Sequence, residues 1–575
     1  MLLRVSCGSL LFIHRPKIKR CLCNDLSWLI VSTLACLWHG DAMASPGVHS
    51  IPMMLRRRCY SLCRFWSLFL ITIPGFLLGC GSGGDKPASP PTPTPPLPLI
   101  KLSTDTFTNT SSQHATEVEP SALAFGSTIV AAFQVGRIFS GGGADIGYST
   151  SLDGGATWNN GLLPDITIFE GSGPFTAVSD PSVAYNARYG LWLIASLPIG
   201  RTQAPQDIIA VSSSSDGTHW NGPIQVSHTA DADKDWMVCD NSTSSPNYGN
   251  CYLEWDDPSQ SADDLIWMSV STDGGQTWQA ASNTADLAHG LGGVPVVQSN
   301  GTVIVPIVQV CTIKSCASSM LSFSSTNGGA SWTSTAKISS ITDHQAAGNL
   351  RSDPLPVAGV DGSNNVYVVW QDCRFRAGCS SNDLVLSTSS DGITWTPPSR
   401  IPIDAASSTV DHFIPGLAID QATSGTTAHL GLTYYFYPTA ICGTSTTQPC
   451  QLEAGFIASQ DGGQTWTSPM TLTLPMSLSW LPNTFSGVMV GDYISTVYAN
   501  GKARPIFALA NAPSGSEPFD EAIYTTGTAL AAQASARRSS SAGEHPVPGA
   551  HSDHGSRQFY DLEHHYPAHP PNLSR

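Results

Sequence analysis

The stretch STDGGQTW, from Ser271 to Trp278, recurs with small changes at five other places in the chain. The copies are SLDGGATW (Ser151 to Trp158), SSDGTHW (Ser214 to Trp220), STNGGASW (Ser325 to Trp332), SSDGITW (Ser389 to Trp395) and SQDGGQTW (Ser459 to Trp466). Their central polar residues, Asp153, Asp216, Asp273, Asn327, Asp391 and Asp461, lie 63, 57, 54, 64 and 70 residues apart. That period suits one four-stranded sheet per repeat and predicts an all-β propeller of antiparallel blades. A short polar side chain in a tight turn accepts hydrogen bonds from backbone N–H groups ahead of it, and the Gly that follows gives the turn its backbone freedom. The closing Trp is placed to bury its ring beside the next strand.

Composition points the same way. The 575 residues include 52 Gly and 41 Pro and only 12% charged residues, which suits many short strands joined by turns. A net charge of −16 excludes the basic surface that nucleic-acid binding needs.

Superposing the repeats gives a unit of three strand-like runs, the turn, and a fourth run. In the second unit these are Pro181 to Tyr185, Leu191 to Ser196, Asp207 to Ser213, the Asp216 turn, and Gly222 to Ser227. Similar units start near Ser121, Trp236, Gly293, Leu355, Pro415 and Asp492, which favours seven blades, with six as the alternative. The last unit stops before its turn, and Leu99-Ile100-Lys101-Leu102-Ser103 matches the missing fourth run. An N-terminal strand in that place would close the ring and cover the exposed sheet edges.

The propeller is expected over residues 98–530, between segments of other character. Residues 1–52 read as an upstream extension from a start codon set too early. From Met53 the chain runs through Arg56, Arg57, Arg58 and Arg64, then an apolar stretch from Phe65 to Leu78, and ends in Leu77-Leu78-Gly79-Cys80. Basic, then apolar, then small residues describe an export signal over 53–80. Residues 81–97 are a Gly/Ser/Pro-rich linker, and 531–575 a disordered tail rich in His, Ser and Pro. Eight Cys of the domain fall in close pairs, Cys239 with Cys251, Cys311 with Cys316, Cys373 with Cys379 and Cys442 with Cys450, and an even set in an exported protein suggests local disulfides.

Within a blade, the turns between strands 1 and 2 and between strands 3 and 4 share one face, so the repeated turns leave the other face for a ligand near the axis. Distinctive polar residues gather on that second face: Arg137, Asp180, Asp235, Trp236, Glu254, Arg351, Asp353, Asp372, Arg374, Arg376, Asp492 and Tyr493. Read singly, Asp at a strand start caps a turn and Arg pairs with it. No GxSxG elbow, HExxH motif or phosphate loop occurs in the domain, and neither a metal nor a cofactor is expected.

The six turns resemble the Asp box, or BNR repeat, of sialidases and related propellers. In that family the Asp box lies opposite the active site. The last four residues before the linker resemble a bacterial lipobox, which implies lipidation of Cys80 and an outer-membrane lipoprotein facing the periplasm or the surface of a Gram-negative cell, attached to the membrane only through its lipid. Sialidases hold the substrate carboxylate with three Arg, use a Tyr activated by Glu as nucleophile, and an Asp as acid/base. In chain order the resemblance assigns Arg137, Asp180, Glu254, Arg351, Arg374 and Tyr493 to first Arg, acid/base, Glu, second Arg, third Arg and Tyr. The family's Arg-Ile-Pro signature is replaced here by Arg137-Ile138-Phe139, and Glu254 stands far ahead of Arg351 rather than shortly before it. The resemblance implies a monomer directed at glycans, either an exo-glycosidase of the exo-α-sialidase kind or a non-catalytic propeller that binds carbohydrate or protein.

Overall fold

The computed structural model describes residues 97–200, 208–227, 232–259, 264–309, 318–439, 442, 450–516, 518–531 and 537–538. The export signal, Cys80, the linker, Cys311, Cys316 and nearly all of the expected tail lie outside these residues. Arg537–Arg538, inside that tail, pairs with Thr465–Trp466.

The domain is all-β, a propeller arrangement of small antiparallel sheets. Among the described residues, five sheets of three to five strands stand apart, and one continuous sheet has eight strands. This corrects the expectation of seven blades, or six: the first two repeats share the eight-stranded sheet through a pairing of Gly143 with Val178. The physical reason lies in the glycines at 142 and 143. A Cβ on Gly142 would lie 2.9 Å from the Val178 carbonyl oxygen, so only bare backbone allows the two repeats to approach here, while one on Gly143 would lie 2.7 Å from the Val135 carbonyl oxygen of its own repeat. Leu99–Lys101 pairs antiparallel with Glu521–Thr526, with Ile100 opposite Thr525.

The core lies between successive sheets. Tyr252, Met268 and Val270 of one repeat pack with Val303, Val305, Phe323 and Trp332 of the next, all buried. The Trp that ends each turn therefore reaches back toward the preceding repeat: Trp466 is buried among Tyr367, Leu386 and Leu430. The turn is held as the sequence suggests. Asp461 accepts from the Thr465 N–H at 2.7 Å, Ser459 Oγ accepts from the Gly463 N–H at 2.9 Å, and the Trp466 ring N–H donates to the Gly463 carbonyl at 3.0 Å. Gly463 has φ +85°, and a Cβ there would meet Leu386 at 2.6 Å, so both conformation and contact demand glycine. Disulfides join Cys239 to Cys251, Cys373 to Cys379 and Cys442 to Cys450.

The innermost strands position the site. In four of them, Glu117–Phe125, Ala177–Asn186, Asp233–Cys239 and His412–Ile419, the register slips by a bulge near the start. At each bulge one non-glycine residue takes positive φ: Glu119 (+56°), Asp180 (+45°), Lys234 (+50°) and Ile414 (+49°). Pro follows three of these four residues, at 120, 181 and 415, where the broken ladder needs no N–H. Each such residue costs on the order of 1–3 kcal/mol and is kept only where its surroundings fix it. For Glu119, Asp180 and Lys234 the surroundings include one another's side chains, and the Ile414 N–H is held by Gln371 Oε1 at 3.2 Å.

Candidate functional site

Lys234 is the centre of a buried charge network that draws on repeats far apart in sequence. Its amine lies 2.5 Å from Asp492 Oδ2, 3.5 Å from Asp180 Oδ1 and 4.0 Å from Glu119 Oε1. Arg351 Nε donates to Asp492 Oδ1 at 3.1 Å, and its terminal nitrogen bonds the other Asp492 oxygen. Tyr493 donates its hydroxyl to Asp180 Oδ1 at 3.4 Å and meets Trp236 edge to face at 5.2 Å. On the far side Gln134 donates to Glu119 and to Ser179 Oγ, and Arg137 donates to Gln134 Oε1 and to the Gly142 carbonyl, both at 3.0 Å. Glu119, Asp180, Lys234, Arg351 and Asp492 are all buried.

Burial sets the charge states. It pushes the Glu119 carboxyl up to about 8, with the Lys234 amine opposing and Asp180 and Asp492 adding to the rise. Burial alone lowers the Lys234 amine, but Asp180, Asp492 and Glu119 outweigh it and hold the amine protonated well above its ordinary range. Burial, with Asp180, Glu119, Asp235 and Asp492 around it, also keeps the Tyr493 hydroxyl protonated. Asp353 rises to about 7, again through burial first and Asp492 second. Glu117, behind Ser103, rises to about 7.

These shifts predict a pH dependence of stability. The folded carboxyls bind protons more tightly than the unfolded chain, so the stability they confer is complete below the unfolded values and is lost as pH rises through the folded ones. The melting temperature is expected to fall by a few degrees between about pH 5 and about pH 8.5, measurable by scanning fluorimetry. A rise over that window would contradict the assignment.

The remaining expected site residues divide into separate groups. Glu254 is wholly buried and packs against Gly293, where a Cβ would lie 2.3 Å from its carboxyl carbon; burial raises its carboxyl strongly. Asp235 lies beside it, bonded to Ser182 at 3.5 Å and likewise raised by burial. Arg374 folds back on Asp372, with Nε to Oδ1 at 2.9 Å and a terminal nitrogen to Oδ2 at 2.6 Å, and also donates to Ser339. Arg376 bonds Asp383 at 2.5 Å and Asp404 at 2.6 Å. The structure thus joins the pairs Asp180–Tyr493 and Arg351–Asp492 through Lys234, links Arg137 to them through Gln134 and Glu119, and sets Arg374 and Arg376 in ion pairs of their own.

Asp383, Asp404 and His412 bring ligand atoms within 4.8 Å of one another. Arg376 and Arg400 already neutralise the two carboxylates, Arg400 at 2.9 and 2.6 Å, and burial lowers His412 to about 4, leaving a neutral ring. That donor set is an arginine-clamped carboxylate pair rather than a metal cradle.

Sequence reasoning passed over Glu119, Gln134 and the role of Lys234. The available signal was the recurrence of an acidic residue before Pro at a strand start, in Glu119-Pro120, Asp180-Pro181 and Asp353-Pro354. Below the network, a cavity of about 620 Å³ runs between the innermost strands, with Lys234, Asp353, Asp492 and Tyr493 at one end and Phe125, Gly126 and Gly362 at the other.

No family model matches the chain, and no curated protein matches it. Among solved structures it is similar to the Hadza microbial sialidase Hz136, at 16% identity and TM-score 0.38 over 73% of this chain and 66% of that one. It is similar to a Trypanosoma rangeli sialidase at 11% identity and TM-score 0.38, over 60% of this chain and 58% of that one. A polysaccharide lyase of family PL25, an ulvan lyase, gives 10% identity and TM-score 0.45 over 74% of this chain and 95% of that one. The chain spans less than two thirds of the length of either sialidase, and likenesses of this size carry no argument about activity.

Proposed function

We propose that this chain is an exported, glycan-recognising Asp-box propeller that binds its ligand on the face opposite the boxes and does not hydrolyse it. Leu99–Lys101 completes the ring, and Cys80 carries the lipid that holds the protein to the outer membrane. The observation that carries the reading is the internal pairing of the candidate cations: Lys234 and Arg351 both spend their charge on Asp492, and Arg374, apart from that network, on Asp372. Guanidinium groups bonded internally in this way are poor grips for a substrate carboxylate, because each would first have to give up a buried partner. Tyr493, kept protonated by burial first and by the carboxylates around it second, is a poor nucleophile.

A second reading, an exo-glycosidase, draws support from the contact between the Tyr493 hydroxyl and Asp180. A panel of fluorogenic glycosides, including a sialoside, separates the two when applied to the purified protein beside Asp180→Ala and Tyr493→Phe. The recognition reading expects no turnover above that of the variants, with binding on a glycan array. Turnover that both substitutions abolish overturns it.

A further inference from the structure

Three segments meet beside the network without a single charged side chain among them: Asn109–Gln113, Ile138–Gly142 and Asn483–Gly487. They are knitted together by their backbones and one amide. Gln113 donates to the Asn483 carbonyl at 2.8 Å and accepts from its N–H at 2.9 Å, while the Gln113 N–H bonds the Arg137 carbonyl at 2.8 Å. The Phe485 N–H donates to the Phe139 carbonyl at 3.3 Å, so two aromatic residues are held side by side in the chain trace. Both rings face outward, Phe139 54% exposed and Phe485 44%.

Their position ties them to the site. Phe139 follows Arg137 by two residues, and the Arg351 N–H donates to the Val488 carbonyl at 3.0 Å, anchoring the end of the third segment to the residue that clamps Asp492. Outward-facing phenylalanines on a braced backbone lose little entropy when they take up a partner. The chemistry around them selects which partner. An aromatic ring offers its face to an apolar surface, and Ser140 and Asn483, both exposed, offer hydroxyl and amide groups at the edge. The C–H face of a sugar ring bordered by hydroxyls matches both features. An acidic sugar would find no cation in these segments, since Arg137 and Arg351 are buried, and the chain as a whole carries −16.

We propose that Phe139 and Phe485 form a stacking subsite for an uncharged sugar ring of a glycan, so that this propeller selects neutral over acidic carbohydrate. The subsite deepens the recognition reading above and rests on it.

The test is calorimetric binding of the purified protein to neutral probes (maltotetraose, cellotetraose and a mannotetraose) and acidic ones (sialyllactose and a tetragalacturonide). It is run beside Phe139→Ala, Phe485→Ala and the double variant, whose melting temperatures are expected to match the parent because both rings are exposed. The expected result is binding of at least one neutral probe, weakened on the order of tenfold in the double variant, with no binding of the acidic probes. Neutral binding that the double variant leaves unchanged, or binding of acidic probes alone, overturns the subsite while the recognition reading stands. Failure of the parent protein to bind any carbohydrate, here and on the array, overturns both.

Discussion

Replacing Lys234 by methionine is expected to cost the fold about 3–5 kcal/mol near neutral pH, the loss that follows when one partner of a buried ion pair is removed. The substitution keeps much of the side-chain volume but strips the positive charge from a point facing Asp492 at 2.5 Å, Asp180 at 3.5 Å and Glu119 at 4.0 Å. Arg351 still reaches Asp492, and Asp180 loses the amine it faces. The cost should shrink as pH falls, because protonated carboxyls no longer need the amine; Glu119, which binds its proton up to about pH 8, adds little to the cost at neutral pH. Urea unfolding at two pH values reads both effects. A loss below about 1 kcal/mol at neutral pH would place Lys234 among ordinary surface ion pairs and contradict its role.

Arg376→Met is expected to have an effect of similar size, about 3–5 kcal/mol, in a separate ion-pair cluster. The Arg376 guanidinium donates to Asp383 at 2.5 Å, Asp404 at 2.6 Å, the Ala405 carbonyl at 2.8 Å and the Ser408 carbonyl at 2.6 Å. One planar group thus holds both the strand Asp383–Ser389 and the loop through Ser408. Arg376→Lys should rescue only part of the loss, since an ammonium cannot span four acceptors in the guanidinium plane. Faster proteolysis between residues 404 and 411 in the methionine variant, with the lysine variant intermediate, is the expected signature. Equal stability of Lys and Arg at this position would show that charge alone matters there.

The repeated turns were legible because the hydrogen bonds of the Ser and the Asp or Asn that shape them are local. Asp461, Gly463 and Trp466 bond within one another's backbone, so a spacing of a few residues suffices to read them. The number of separate sheets was not legible in the same way. It turns on Gly143 meeting Val178, a pairing between two repeats, and the triple glycine at 141–143 gave no sign of whether it served a loop or a close approach. The site was half legible. Asp180, Arg351, Asp492 and Tyr493 were marked by their place at strand starts, and the structure brings them together. What joins them is contact across 54 to 373 residues of chain, from Lys234 to Asp180 and from Asp492 to Glu119. Lys234 read as one residue of a charged run, because nothing in the run itself tells that a bulge turns this side chain toward the axis.

The measurement that bears most directly on the closed axial network is a double-mutant cycle between Lys234→Met and Asp492→Asn, read by unfolding free energy near neutral pH. If the two side chains are each other's partners in a buried network that binds no substrate anion, the coupling energy should reach about 2 kcal/mol or more, toward the upper part of the range for contacting residues. Strictly additive effects, with a coupling within about 0.5 kcal/mol of zero, would mean that Lys234 and Asp492 do not depend on each other and would contradict the account.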